Sequence, residues 1–99
     1  MVQDPSVDAI IAMHLSDRDA GVRLAALTAT KARKPSEALA RPLKELMLKE
    51  VQTSVRGKAI RIGAIWLRQR PDLRPVLETV AKRDVNANLR TVAQHALGA

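Results

Sequence analysis

Three acids and three arginines recur at one spacing along this 99-residue chain, and a carboxylate set beside a guanidinium is the first arrangement to weigh as chemistry. An acid, four spacer residues, a β-branched or leucine residue and then arginine reads Asp17 to Val22-Arg23, Glu50 to Val55-Arg56 and Asp84 to Leu89-Arg90. One such pair could hold a proton or polarise a substrate. Arginine's planar fork suits carboxylates and carbonyls, so the same pair is open to a structural reading as well. With no cysteine there is no thiol nucleophile, disulfide or thiolate zinc site. Neither HExxH nor a phosphate-cradling glycine loop occurs. His14 reads as a packed or part-exposed residue beside the core rather than a ligand. Trp66, the single aromatic, fits core filling better than a stacking platform. No catalytic residue, metal ligand or cofactor is expected, and the chain reads as non-enzymatic.

What remains is charge. The chain carries 17 Lys/Arg against 10 Asp/Glu, a formal net of +7. Residues 35–70 hold eight Lys/Arg against three Asp/Glu, whereas the segments on either side are each close to balanced, at +1. A basic patch of this kind suits an acidic partner or a phosphate backbone, and a merely solvated Lys/Arg-rich surface is the plain alternative.

The elements that must position these residues are repeated helices. Val22, Val55 and Leu89 lie 33 and 34 residues apart, the period of a stacked helical array. Further columns share the same offsets: Ile10/Leu43/Leu77, Met13/Leu46/Val80, Ala26/Ala59/Ala93 and Ala29/Ile62/Ala96. A first helix is expected from Asp4-Pro5, an N-cap acid before the residue best tolerated at the first helical position, with Val7, Ile10, Ile11, His14 and Leu15 on its apolar face. A second runs from about Ala20 to Arg33, capped by Asp19, with Val22, Ala26, Ala29 and Arg33 on one face. Lys34-Pro35 ends it, since the residue before proline is pushed out of the α region. A third starts at Pro35-Ser36-Glu37, and Pro42 should bend it or divide off its first turn. The fourth spans roughly Gln52 to Gln69, with Gly63 at a close helix approach and Gly57 pointing outward. A fifth begins at Pro71-Asp72, and a sixth runs from about Val85 to Leu97, with Asn86 in the Asp19 column.

A Leu/Ile-rich helix, the Asp17 to Val22-Arg23 phrase and an Ala-rich helix resemble a HEAT repeat. In that family a proline often stands eight residues before the acid, as Pro42 does before Glu50. Pro75 stands nine before Asp84, Ala9 occupies the place in the first unit, and Glu50 and Leu89 replace the usual Asp and Val. The resemblance covers the whole chain. It implies an all-α fold, a right-handed α-α superhelix (α-solenoid) of six helices as three HEAT-like pairs. Residues 1–99 form a single domain with units of about 4–34, 35–70 and 71–99. It also implies an Asp–Arg ladder between units, and a concave binding face made by the second helix of each pair.

That face, opposite the apolar stripe, reads Gly21/Ser54/Asn88, Leu24/Gly57/Thr91, Thr28/Arg61/His95 and Lys31/Ala64/Gly98. It is a floor of small residues crossed by cations, and Lys31, Lys58, Arg61, Arg68 and His95 are the candidate partner-binding residues. The leading expectation is a protein-interaction module, an adaptor that binds an acidic protein or peptide there. The alternative is nucleic-acid (DNA) binding through the same face, against which stand the confinement of charge to one unit and the lack of exposed aromatics. No run is long enough to span a bilayer and no leader pattern opens the chain, so a cytoplasmic protein without membrane contact is expected. Ile11 and Leu15, in columns that later units fill with Lys44/Glu78 and Leu48/Lys82, read as an exposed apolar pair. They predict weak self-association through the first helix.

Overall fold

The computed structural model describes residues 3–98, so Met1, Val2 and Ala99 of the predicted domain lie outside the described residues. Among the described residues there are six α-helices and no strand. They are α1 (Pro5–Leu15), α2 (Ala20–Lys31), α3 (Glu37–Lys49), α4 (Thr53–Trp66), α5 (Arg74–Arg83) and α6 (Ala87–Ala96), with a 3₁₀ turn at Pro71–Leu73 before α5. No helix is long and apolar enough to cross a membrane.

Local chemistry sets the ends. The Asp4 carboxylate accepts from the Ser6 amide with Pro5 at the first helical position, Asp19 accepts from Gly21 and Val22, Ser36 from Leu39 and Asn86 from Leu89. Gln52 makes no side-chain cap bond. The Glu50 carboxylate instead accepts from the Gln52 amide at 3.1 Å. Helix α3 runs unbroken through Pro42, contrary to the expected division. Helices α2, α4 and α6 are each shorter than expected: Ala32 and Leu67 already serve as C-caps, and α6 starts only after its N-cap Asn86.

Short turns make α1/α2, α3/α4 and α5/α6 packed pairs. Each helix also lies against its counterpart in the next unit, α1 on α3 on α5 and α2 on α4 on α6. The two layers enclose one aliphatic core that includes Leu27, Leu39, Leu43, Met47, Ile60, Ile62, Trp66, Leu73 and Leu77. Trp66 is buried, as expected. A Cβ on Gly63 would stand 2.5 Å from the Met47 methyl, the close approach its column anticipated. Gly57 differs from expectation: it is buried, and a Cβ there would stand 3.2 Å from Leu89 Cδ2, so it faces α6 across a joint between units.

Helix α1 departs most from its columns. Ile11 and Leu15 are 9% and 1% exposed, whereas Met13 is 73% exposed, and Val7, Ile10 and His14 also face solvent. The cause is one extra residue. Four residues, 16–19, separate α1 from α2, against three at 50–52 and three at 84–86. Aligning on the acid therefore misplaces α1 by one position, about 100° around a helix axis. Corrected, Ile11 joins Leu43 and Leu77, and Leu15 joins Met47. The exposed pair proposed for self-association is core, which removes that ground for it.

The repeated phrase forms the joints. Arg23 reaches the next unit's Glu50 with Nε and Nη2, both at 2.7 Å, and Arg56 reaches Asp84 at 2.8 and 3.0 Å. Each arginine also donates backward to the carbonyl of the acid six residues before it, Asp17, Glu50 and Asp84 respectively. Arg33, expected on the apolar face of α2, instead pairs at 2.8 Å with Asp8, a buried carboxylate of α1. The equivalent tie in the second unit joins Arg70 to Glu37 at 2.7 Å, and Asp72 bridges Arg70 and Lys44.

These contacts hold the carboxylates below their ordinary pKa. For Glu50 the Arg23 fork is the main cause, outweighing burial. For Asp84 and Asp8 burial is the largest single influence and acts the other way. Arg56 and the Asn86 amide overcome it at Asp84, as Gln3, Ser36 and Arg33 do at Asp8. A folded pKa below the unfolded one gives stability that is full above the unfolded value and lost as pH falls through the folded one. The melting temperature should be flat from neutrality to about pH 5 and fall steadily below it. Glu50→Gln should start lower at pH 7 and lose less on acidification, read by thermal melts across pH 2.5–7. Arg56→Ala leaves Asp84 buried without its partner and should cost about 3 kcal/mol in urea unfolding at pH 7.

Candidate binding groove between helices 2 and 4

The face of α2 and α4 that points away from α1 and α3 carries the predicted cations. Lys31, Lys58 and Arg61 converge, with Ser54, Ile62 and Ile65, on a depression of about 270 Å³. Arg68 lines an adjoining one of about 340 Å³ that also contains Lys31, Lys34, Pro35, Ile65 and an edge of Trp66. The two share Lys31 and Ile65, so they form one groove along the seam between the helices. Lys58 spans that seam and donates to the Thr28 hydroxyl. His95 is exposed on α6, in the column of Thr28 and Arg61, and lines neither depression.

Helical geometry explains the grouping. Successive residues turn by about 100°, so Ser54, Lys58, Arg61 and Ile65 fall on one strip of α4. On the other sides of that helix, Gly63 meets Met47 of α3 and Gly57 meets Leu89 of α6. The expected strip of small residues is thus displaced. Gly57 borders the joint with α6, and the groove holds Ser54 with the aliphatic Ile62 and Ile65.

The electrostatics are one-sided. Neither depression has an acidic residue in its wall. Among the described residues the ion pairs engage Arg23, Arg33, Arg41, Lys44, Lys49, Arg56 and Arg70, all with carboxylates outside the groove. Among the described residues Lys31, Lys34, Lys58, Arg61 and Arg68 have no carboxylate partner.

Ile65 is the residue that sequence reasoning missed. It is 63% exposed amid those five cations. The signal was present: Ile65 lies four positions after Arg61 and so shares its face, but the columns used for the outward surface passed through Ala64 instead. The arrangement can bind anionic groups around an apolar contact. It offers no acid–base pair, and among the described residues no three His, Asp or Glu side chains come together as a metal site needs.

Comparison of the chain with protein-family models, with curated proteins and with solved structures finds no match in any of the three.

Proposed function

We propose that the chain is a non-catalytic interaction module, three HEAT-like helix pairs stacked as a right-handed α-solenoid, that holds an acidic segment of a partner protein along the α2/α4 seam. The observation that carries this reading is the set of five cations without a carboxylate partner, Lys31, Lys34, Lys58, Arg61 and Arg68, around the exposed Ile65. Charged side chains left without local partners, in a groove without acids, keep their field available for an incoming anion. Lys58 and Arg61 serve one carboxylate and Lys31 and Arg68 another, while His95 extends the same face onto α6. Ile65 favours a peptide over a nucleic acid. An apolar side chain gains nothing against phosphates, whereas a partner's Leu or Ile buried against it contributes about 1.5 kcal/mol or more.

The test uses a fluorescent peptide with two Glu residues on each side of a central Leu, and a random-sequence DNA duplex, each titrated at 50 and 200 mM salt. The peptide should bind, and Arg61→Glu or Arg68→Glu should weaken it about tenfold or more while circular dichroism keeps its helical signal. Ile65→Ser should weaken the peptide without touching any charge. Duplex binding that is tighter than the peptide's, falls steeply with salt and ignores Ile65→Ser would establish the nucleic-acid reading instead.

A further inference from the structure

The two joints inside the molecule show what a completed joint contains, and the N-terminal end of the array has half of one. Glu50 and Asp84 each cap the turn that follows and receive an arginine fork from the preceding unit. Asp17 makes the same capping bond, to the Asp19 amide at 2.8 Å, but among the described residues its carboxylate takes no arginine fork, Arg23 reaching only its carbonyl. From the same turn, α1 and α2 leave an open groove of about 430 Å³ lined by His14 and Asp19 as well as by Ile11, Val22, Ala25 and Ala29. The counterparts of Val22 are Val55 and Leu89, both buried. Leu89 lies against Gly57 of the unit before it, the side that is open at Val22.

The opposite end is built differently. The column that holds the fully buried Leu27 and Ile60 continues at Gln94, and the Leu24/Gly57 column at Thr91, both exposed. This side of α6 is therefore polar where the matching side of α2 and α4 is apolar. A second copy would therefore bring Arg90 toward Asp17 but set Thr91 and Gln94 over the apolar groove, leaving the groove without an apolar cover. The N-terminal face asks for an arginine together with leucines, the combination that Arg23, Leu24 and Leu27 present in α2.

We infer that the open face of the first helix pair, Asp17 with the groove along α1 and α2, is a docking site for an amphipathic helix of another protein that carries an arginine beside a leucine stripe. This face lies on the side of α2 away from α4, so it is separate from the basic groove and independent of the function proposed for it. The arginine supplies the fork that Glu50 and Asp84 already receive, and the leucines cover Val22, Ala25 and Ala29.

The probe is a hydrocarbon-stapled helix with the chain's own sequence from Asp19 to Lys34, titrated into the isotope-labelled full chain and followed by amide chemical shifts. Saturable shifts at Asp17, Val22, Ala25 and Ala29 are expected. Asp17→Asn, which keeps the capping bond, should weaken the probe about fivefold, the scale of a part-exposed ion pair. Replacing the probe's arginine by alanine should weaken binding to the wild type by a similar factor and leave binding to Asp17→Asn unchanged. Ala25→Glu, at an exposed position, should abolish the shifts while the helical signal is kept. The inference is overturned if those residues do not shift at millimolar probe, or if Asp17→Asn binds as tightly as wild type. It is also overturned if the unliganded chain shows the same shifts with its own concentration, since a second copy would then occupy the face.

Discussion

The guanidinium–carboxylate joint is the constraint on which the rest of this molecule depends. Each joint does three things at once: the acid caps the turn of its own unit, the arginine ties that turn to its helix through a carbonyl, and the fork reaches the neighbouring unit. A charge taken out of water is costly unless it is fully hydrogen-bonded, and here Arg56 and Glu50 are buried with partners on every side. The spacing of six residues between acid and arginine follows from this, since one short turn and one helical turn must bring the fork back over the carbonyl.

With the joints holding the turns, the small residues become intelligible. The Ala26/Ala59/Ala93 column lets helices approach, and glycine takes over where even a methyl group would crowd a neighbour, Met47 at Gly63 and Leu89 at Gly57. Stacking consumes the acids. Asp8, Glu37, Glu50, Asp72 and Asp84 are all spent on arginines or lysines of the scaffold. The cations of the α2/α4 seam are therefore left over, and the net positive charge of the middle unit appears on a single face. The groove's field is a consequence of how the scaffold is held together.

Much of this was legible in the sequence because repetition is a form of internal evidence. Three copies of one phrase, and small or aliphatic residues at fixed offsets from it, imposed helix pairs and their number; the caps and the buried Trp66 followed from local residue types, and the ladder from the family resemblance. Lys58, Arg61 and Arg68 could be put together because they share one helical run, and Lys31 joined them through the repeat and the concave face that the family resemblance implies. These are local properties: they depend on residues within a turn or two of one another, or on a period that the chain repeats.

Tertiary structure decided what depends on how one helix meets another. A single extra residue in the first turn rotated α1 relative to its columns, which buried Ile11 and Leu15, exposed His14 and Met13, and aimed Asp8 at Arg33 across 25 residues of chain. Gly57 is buried because Leu89 arrives from another helix, and Ile65 stays 63% exposed in the groove between α2 and α4. A helical wheel orders the residues around one axis, but which sector becomes core, joint or groove is fixed by the neighbours packed against it. That information resides in inter-helix distances, to which no pattern within a single helix has access.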